Sequence, residues 1–354
     1  MAATGTIRVL VIRFSSMGDV ILASPVVRAL HVLLEGKVEV HFLTKGAFAD
    51  ALNGLEGLHR VWTIERTTAE VEDGLKAVGF HYVVDLHANA RSAFVKRALR
   101  KGEGRAFDLT VDKRSLDKIM LVRTGWDRLA GQHVVERYLE TLRPFGDALE
   151  ALARAGDDGE LRLPHPLEAI AENSGGRRRA VLALGAAHPG KAIPESHWCI
   201  ILSGLLEADC SVDLIGGPGE MALAERLVAA HPSAPKGNLE RLRNFCGSSW
   251  SETFRTMNGA DVLIAGDTGA MHAGAALQVP MVVVWGCTSR ALGMGPWRPH
   301  PATEQLEPSG PERSRPCSRL GDRCRHRTPC IQRVAAERIL EAACGQLKIS
   351  RTAP

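Results

Sequence analysis

At 354 residues the chain is long for one domain and sufficient for two, and its 45% apolar and 24% charged residues are those of an ordinary globular protein. A formal net charge of +4 is small for this length and gives no argument for nucleic-acid binding. The sequence has no apolar run of the roughly 18–20 residues that span a bilayer, no secretory signal pattern, and eight scattered cysteines. These features predict a cytoplasmic protein.

The N-terminal segment is predicted to form a strand, a loop and a helix. Ile7–Phe14 is an apolar run rich in β-branched residues, and the polar segment Ser15–Asp19 follows it as a loop. Ser24 and Pro25 fit the N-cap and the first position of a helix, and apolar residues at helical spacing continue to a stop at Gly36.

The rest of the chain alternates short apolar strands with segments of helix length. The strands are apolar on both faces, which is typical of a parallel sheet covered by helices on both sides. The predicted strands are Val38–Thr44, Val61–Ile64, Tyr82–Leu86, Ala180–Leu184, Val212–Ile215, Val262–Ala265 and Met281–Trp285. In doubly wound sheets of this kind ligands bind at the carboxyl ends of the strands, so the loops there are the candidate sites.

One region interrupts this alternation. Residues 147–176 are rich in Gly, Pro, Ala and charged side chains. We therefore predict two doubly wound α/β domains, at residues 1–170 and 178–330, followed by a C-terminal helix and tail at 331–354.

Two segments of the first half place polar residues after strands. Asp19 follows the first strand in a Met-Gly-Asp sequence, where an aspartate after a glycine is as common in a simple turn as in a functional site. The segment Val83–Ser92 (VVDLHANARS) places Asn89 and Arg91 after another strand, and an arginine there can pair with an anionic sugar. Asp85 is predicted to cap the loop after its strand.

In the second half, Gly266–His272 (GDTGAMH) directly follows the strand Val262–Ala265. A strand, a Gly/Thr loop and a helix aim backbone N–H groups and the helix dipole at one point, which suits a diphosphate. Thr268 adds a hydroxyl donor, and His272 lies one turn into the helix. The glycines alone fit equally well a simple tight turn with Asp267 as the N-cap.

Three further segments follow strands of the second half. Leu184–Lys191 (LGAAHPGK) ends in a lysine, Val212–Glu220 (VDLIGGPGE) enters a glycine loop, and Asn244–Ser249 (NFCGSS) is short and polar. A lone lysine is usually a solvated surface residue, and a Gly-Gly loop is a weak signal. These segments gain significance only in combination.

In their order along the chain, these segments resemble the motifs of glycosyltransferase family 9, the ADP-heptose:lipopolysaccharide heptosyltransferases. The run Gly266–Pro280, continued by Gly286–Thr288, is similar to the family's D-T-G-x-x-H-x-A-A-A-x-x-x-P…G-x-T signature, with Gly274 at a position where alanine is usual. The segment that ends in lysine resembles the family's K-R-W-P, although Ala192 and Ile193 replace the Arg-Trp pair.

The resemblance implies a GT-B fold, in which two Rossmann-like domains face each other across a cleft. It implies an inverting transfer of heptose, or a related sugar, from an ADP-sugar to a lipopolysaccharide-core acceptor in bacteria. Asp19 and Lys191 are the implied catalytic residues, and Asn89 and Arg91 the implied acceptor-binding residues. The implied donor-binding residues are Ala187, Lys191, Gly217, Glu220, Ser248, Asp267, Thr268, Gly269 and His272.

The chemistry of such a transfer fits these residue types. The attacking acceptor hydroxyl must lose its proton, and a carboxylate such as Asp19 can take it. Negative charge grows on the leaving diphosphate, which many glycosyltransferases stabilise with a divalent metal held by an Asp-x-Asp motif. Because the sequence contains no Asp-x-Asp, we expect a metal-independent clamp of Lys191, the helix N-terminus at Thr268 and Gly269, and His272, with no cofactor and no metal.

A cysteine cluster near the C-terminus admits two interpretations. Cys317, Cys324 and Cys330 could hold a metal ion with His326 as the fourth ligand. Their spacings lack the C-x(2–4)-C pairs of common zinc sites, so the sequence favours thiols without a metal.

The expected partners are a nucleotide-sugar donor and an acidic glycolipid acceptor. Two basic stretches, at 91–105 and 313–327, suggest peripheral contact with the anionic cytoplasmic face of the inner membrane. Two alternatives remain: a nucleotide-sugar epimerase of the same architecture and a non-catalytic nucleotide-sugar-binding paralogue. The order of the motifs favours transfer, and the change at Ala192 and Ile193 keeps the second alternative open.

Overall fold

The computed structural model describes residues 5–100, 106–164, 176–231, 241–308 and 315–348. The chain divides into two compact units, which are Met1–Arg114 with Gln132–Pro166 and Ser115–Gly131 with Leu167–Pro354. Each unit has its own sheet, and all strand pairs in both sheets are parallel. The predicted α/β class is therefore confirmed.

Unit 1 contains a five-stranded sheet of order β3-β2-β1-β4-β5. Its strands are β1 Ile7–Ile12, β2 Val38–Lys45, β3 Leu58–Ile64, β4 Tyr82–Asp85 and β5 Phe107–Thr110. Its helices are α1 Met17–Ile21, α2 Ser24–Leu33, α3 Glu72–Val78, α4 Ala90–Leu99, α6 Val134–Glu140 and α7 Ala148–Arg154, while α5 Ser115–Thr124 belongs to unit 2. The direction of the strand order changes at β1, so the loops after β1 and β4 lie where doubly wound sheets bind ligands.

Unit 2 contains a six-stranded sheet of order β11-β10-β9-β6-β7-β8. Its strands are β6 Arg179–Ala183, β7 Ser211–Ile215, β8 Leu242–Asn244, β9 Val262–Gly266, β10 Met281–Val284 and β11 Glu304–Leu306. Its remaining helices are α8 Glu195–Glu207, α9 Met221–Ala230, α10 Trp250–Met257, α11 Gly269–Ala276 and α12 Ala336–Leu347. None of the helices in the described ranges is long and apolar enough to cross a membrane.

Three short strands, β5, β8 and β11, were not predicted from the sequence. All three lie at sheet edges, where only part of each side-chain row is buried, so the apolar run that marks an inner strand is missing. β8 and β11 have three residues each, and in β5 the Phe107 side chain is 68% exposed.

The segment after β1 differs from the predicted loop. Met17–Ile21 forms a short helix with Ser16 as its N-cap, so Asp19 is the third helical residue and not a loop residue. The next helix begins at Ser24 with Ala23 as its N-cap, one residue earlier than predicted. The Ser24 hydroxyl instead accepts a hydrogen bond from the Arg162 backbone N–H at 2.9 Å.

The residue ranges of the two units also differ from those of the expected domains. We expected residues 115–131 in the N-terminal domain, but they belong to unit 2, where Leu121 and Leu129 form a small buried cluster with Leu292. The expected boundary near 165–178 falls largely outside the described residues. α12 packs against α8 in the core of unit 2, where a Cβ on Gly204 would contact Leu340.

Candidate active site

In unit 2, four neighbouring strands end at one edge of the sheet and bring the predicted donor-binding loops together. β10, β9, β6 and β7 are adjacent in the sheet, and the loops that follow them contain Thr288, Asp267, Lys191 and Glu220. Because parallel strands end at the same edge, segments separated by up to about a hundred residues converge there.

An ion pair connects two of these loops. Lys191 Nζ lies 2.8 Å from Asp267 Oδ2, and the same oxygen accepts a hydrogen bond from Thr288 Oγ1 at 2.7 Å. Asp267 is 7% exposed and Thr288 is 1% exposed. The Asp267 carboxylate therefore holds the ammonium group of Lys191 at the carboxyl edge of the sheet and is not an N-cap.

The N-terminus of α11 lies beside this ion pair in the sequence. Thr268 is the N-cap with an extended backbone, and its Oγ1 is buried without a hydrogen-bond partner among the described residues. The first N–H groups of a helix have no partner within the helix. His272 lies one turn further and is buried. The start of α11 therefore offers unpaired donors and a positive dipole end to an anion.

Glycines allow the loops around Lys191 to approach closely. A Cβ on Gly190 would lie 2.6 Å from the Gly321 carbonyl oxygen and 2.8 Å from Cys287 Sγ. A Cβ on Gly266 would lie 2.6 Å from the Lys191 carbonyl oxygen. Gly190 also exchanges backbone hydrogen bonds of 2.9 Å, donating to Gly321 and accepting from Cys287. The position of Lys191 thus depends on backbone-to-backbone packing.

This packing predicts the effect of one methyl group. We expect Gly190→Ala to destabilise the protein by about 1–3 kcal/mol and to weaken ADP binding, because the added methyl group must displace the backbone next to Lys191. The matched control is Gly345→Ala in α12, where a Cβ meets nothing within 4 Å. That change should be neutral or should stabilise by up to about 1 kcal/mol. Denaturant unfolding and calorimetric ADP titration test the pair, and equal behaviour of the two variants would contradict the prediction.

The glycine loop that contains Gly217 and Glu220 directly follows β7, as the sequence predicted. Glu220 Oε2 accepts a hydrogen bond from the Gly217 N–H at 2.8 Å, and a Cβ on Gly185 would lie 3.1 Å from the same oxygen. The Gly247 N–H donates to the Gly216 carbonyl at 2.9 Å, which brings the half-buried Ser248 close to this loop. Ala187 is exposed in the loop after β6.

In unit 1, Asp19 lies in a network of polar groups after β1. Arg13 Nη2 is 2.7 Å from Asp19 Oδ1, and the Tyr138 hydroxyl donates to the same oxygen at 3.4 Å. The backbone N–H and the hydroxyl of Ser16 donate to Asp19 Oδ2 at 3.0 and 2.9 Å. The Asp19 side chain keeps 15% of its surface exposed, so it is not completely enclosed by these partners.

These partners set the charge of the cluster. Burial raises the pKa of Asp19, but the Arg13 guanidinium and the Ser16 hydrogen bonds outweigh it and lower the pKa to about 2. Burial raises the pKa of Tyr138 well above its usual value, so its hydroxyl stays protonated. Burial, with Arg13 and Lys113 nearby, lowers the pKa of His87 to about 4. At neutral pH the site therefore holds an ionised Asp19 beside a neutral imidazole.

The predicted acceptor-binding residues lie where the loop after β4 meets α4. Asp85 is fully buried, accepts N–H bonds from His87 and Ala88 and pairs with Lys96, which confirms its structural role. Asn89 caps α4 by accepting from the Ser92 N–H at 3.0 Å, so its side-chain oxygen is used at the start of the helix.

Arg91 lies near the loop after β1. Its guanidinium carbon is 5.7 Å from the centroid of the Phe14 ring, and the edge of His87 packs on the same ring. Phe14 directly follows the strand that leads to Asp19. The segments of unit 1 that carry Asp19 and Arg91, at the starts of α1 and α4, are therefore neighbours, as the sheet order requires.

Sequence reasoning missed several residues of these sites. Arg13 and Tyr138 set the charge and the orientation of Asp19, and Thr288 fixes Asp267. The signal for Thr288 was present in the G-x-T after β10, which is the strand next to β9. Cys287 was likewise missed as a neighbour of Cys317, Cys324 and Cys330.

Comparisons with known proteins identify the family of this chain. A sequence model of glycosyltransferase family 9 (heptosyltransferase) matches residues 69–321. Lipopolysaccharide heptosyltransferase 1 of Pseudomonas aeruginosa is 27% identical over 299 residues, covering 80% of this chain and 79% of that protein. A family 9 glycosyltransferase from Veillonella parvula superposes with a TM-score of 0.70 at 16% identity, covering 98% of both chains. The E. coli heptosyltransferase WaaC with ADP superposes with a TM-score of 0.64 at 18% identity, covering 96% of this chain and 100% of that one.

Two doubly wound units with polar loops at the carboxyl ends of their parallel strands have the architecture of the GT-B fold. The family match extends over most of the chain and includes the loops that hold Lys191, Asp267 and Thr288. The chain belongs to glycosyltransferase family 9, the heptosyltransferase family, and is a glycosyltransferase of the heptosyltransferase type.

Proposed function

We propose that the chain transfers heptose, or a closely related sugar, from an ADP-sugar to a lipopolysaccharide-core acceptor with inversion at the anomeric carbon. The observation that carries this proposal is the Lys191 ammonium group, held by Asp267 at 2.8 Å, beside the start of α11. A cation and a helix N-terminus together suit a diphosphate leaving group. The name of the Pseudomonas relative supplies the acceptor class, and the ADP of the E. coli structure supplies the nucleotide.

The proposed donor chemistry uses fixed positive groups in place of a metal. As the glycosidic bond to ADP breaks, negative charge moves onto the diphosphate, where Lys191 and the N–H groups at the start of α11 stabilise it. Thr268 Oγ1, which is buried without a partner among the described residues, supplies a further donor. Glu220, beside Gly185 and Gly217, is proposed to accept from a ribose hydroxyl.

The proposed acceptor chemistry uses Asp19 as the base. An oxocarbenium-like sugar is attacked by the acceptor hydroxyl on the face opposite ADP, and Asp19 takes the hydroxyl proton. Tyr138 donates to Asp19 Oδ1, and Arg13 pairs with the same oxygen. The Ser16 bonds hold the other oxygen, so the carboxylate has a fixed orientation.

Arg91 is proposed to bind an anionic group of the acceptor. We expect Arg91→Ala to raise the acceptor KM about 10- to 100-fold, since a hydrogen bond to a charged group contributes about 1.5–3 kcal/mol, with little change in ADP affinity. The matched control is Arg97→Ala, which removes the same charge from an exposed position of α4. Steady-state kinetics with varied acceptor test the pair. An acceptor KM that rises equally in both variants would show a general charge effect and contradict the assignment.

The proposed reaction is tested by incubating the purified protein with ADP-heptose and a heptose-free lipopolysaccharide-core acceptor. We expect ADP release that requires the acceptor, and a product heavier by one sugar in mass spectrometry. An epimerised sugar nucleotide formed without acceptor would support an epimerase, and ADP binding without turnover would support a non-catalytic paralogue. Transfer that persists in excess EDTA is expected if the diphosphate clamp is independent of metal.

An acidic glycolipid acceptor places the reaction at the cytoplasmic face of the inner membrane in this proposal. The exposed side chains of Arg319 and Arg327, in the second basic stretch, suit an anionic surface. Residues 101–105 and 313–314 of the two basic stretches lie outside the described residues.

A further inference from the structure

Four cysteine thiols of unit 2 converge at one point behind the Lys191 loop. Their Sγ atoms all lie within 4.8 Å of one another, although Cys287 follows β10 and the others come from residues 317–330. Three of the separations are 3.9 Å for Cys317 and Cys324, 3.6 Å for Cys317 and Cys330, and 3.6 Å for Cys324 and Cys330. Three of the four side chains are buried, and Cys324 is half-buried.

These separations are those of four ligands around one ion. A Zn–S bond of about 2.3 Å places the four sulfurs of a tetrahedron about 3.8 Å apart. A disulfide would require two sulfurs about 2.05 Å apart, and none of the eight cysteines forms one. A polynuclear iron–sulfur cluster binds its cysteines through different iron atoms, which spreads the thiolates farther apart than the ligands of a single ion.

We propose that Cys287, Cys317, Cys324 and Cys330 bind one metal ion, zinc or iron, in a tetrahedral all-thiolate site. The sequence did not predict this because the spacings among the last three lack the common zinc pairs, and the fourth ligand lies 30 residues before Cys317. His326, the ligand suggested from the sequence, is not part of the group. With four protein ligands the site is closed, so its role is structural and it leaves no position for the sugar diphosphate.

The surroundings of the thiols fit a metal site. The Cys330 backbone N–H points at Cys324 Sγ at 3.4 Å, and an amide donor of this kind stabilises a metal-bound thiolate. The Cys317 N–H donates to the Cys287 carbonyl at 2.7 Å, which joins the two segments that supply ligands. Four thiols are thereby gathered from two distant segments without forming a disulfide.

The site is also connected to the donor loops. Cys287 is bonded to the Gly190 carbonyl through its N–H and immediately precedes Thr288, which holds Asp267. A Cβ on Gly321, between two of the ligands in the sequence, would lie 2.7 Å from Lys191 Cγ. The metal ion would therefore fasten the segment around Gly321 against the Lys191 loop.

The test measures metal in the full-length protein expressed with both zinc and iron in the medium. We expect about one metal ion per chain by plasma mass spectrometry, with visible thiolate-to-iron absorption if the metal is iron and none if it is zinc. Exchange into cobalt should give the intense visible bands of a tetrahedral thiolate site. Thiol titration of the native protein should show four thiols that become reactive only after the metal is removed.

The matched variants are Cys324→Ser, expected to lose the metal and lower Tm, and Cys199→Ser, which changes a cysteine of α8 outside the group and should keep the metal. Should Cys324→Ser fail to fold, the wild-type measurements decide alone. Less than about one-tenth of a metal ion per chain in the native protein would overturn the proposal. None of these readouts depends on the substrate, so the result is separate from that of the transfer assay.

Discussion

Replacing Asp19 with asparagine is expected to lower kcat about 10²–10⁴-fold, the contribution typical of a positioned general base, while ADP affinity stays unchanged. Asparagine keeps the size of the side chain and can still accept from Ser16, so the start of α1 should keep its conformation. Because proton removal occurs only in the transition state, kcat and kcat/KM should fall by equal factors. Acceptor-dependent ADP release and calorimetric ADP titration supply the two measurements.

The low pKa of Asp19 is compatible with this role. A carboxylate with a pKa of about 2 is too weak a base to deprotonate a sugar hydroxyl before the reaction begins. When the hydroxyl oxygen bonds to an oxocarbenium-like carbon, its proton becomes strongly acidic, and a weak, well-placed base then suffices. Pairing with Arg13 therefore keeps Asp19 ionised and oriented. It also makes Asp19 a weaker base, but a late proton transfer does not need a strong one.

This mechanism has a defined pH dependence. Because Asp19 stays ionised down to about pH 2, its titration should cause no acid limb in kcat/KM between about pH 4 and pH 8. A limb near pH 5 that disappears in Asp19→Asn would show that the carboxyl titrates in its usual range and would contradict the Arg13 pairing. The folded-state pKa is lowered, so the pair stabilises the protein above the usual carboxyl pKa, and that stability is lost as pH falls through about 2.

A matched variant separates chemistry from stability. Asp157 pairs with Arg28 in the same unit, with side-chain exposures of 19% and 18%, against 15% and 12% for Asp19 and Arg13. Asp157→Asn should therefore lower Tm at pH 7 by an amount similar to Asp19→Asn but leave kcat near the wild-type value. Equal losses of kcat in the two variants would assign the Asp19 effect to folding.

The sequence predicted the inner architecture well because burial leaves a direct trace in it. Inner strands such as β1 and β9 are buried on both faces and therefore appear as continuous apolar runs. The edge strands β5, β8 and β11 have no such run, and the assignment of residues 115–131 to unit 2 depends on packing against Leu292, a contact that no local pattern encodes.

The residues of the candidate sites likewise divide into those that the sequence pattern reveals and those that only the fold brings together. Gly266–His272 could be recognised because its parts are contiguous, and the order of neighbouring strands in the structure brings Lys191 to Asp267. Tyr138 lies 119 residues from Asp19, and Cys287 comes from a loop remote from the other three cysteines. Such partners meet only through the tertiary fold, so the pKa of Asp19 and the four-thiol group had to be read from the structure.

Replacing Lys191 with methionine is expected to lower kcat about 10²–10³-fold, because it removes the proposed principal positive charge on the leaving diphosphate. Methionine has a similar length and no charge, so packing against Gly321 is kept. ADP affinity should also fall, because the buried Asp267 carboxylate would lose its counter-charge and repel the diphosphate. Lys348→Met, at an exposed position after α12, is the control and should leave kcat and ADP affinity unchanged.

Adding Asp267→Asn to the Lys191→Met variant tests how the two residues work together. If Asp267 acts mainly by holding Lys191, the double variant should lose no more kcat than Lys191→Met, and its ADP affinity should recover in part because the repelling charge is gone. If Asp267 instead binds a sugar hydroxyl directly, the two losses in kcat should multiply. The Thr288 hydroxyl can bond an asparagine oxygen as it bonds the carboxylate, so the loop geometry is preserved in the comparison. Partial recovery of ADP affinity would therefore show that the Lys191 ammonium group neutralises the Asp267 charge beside the start of α11.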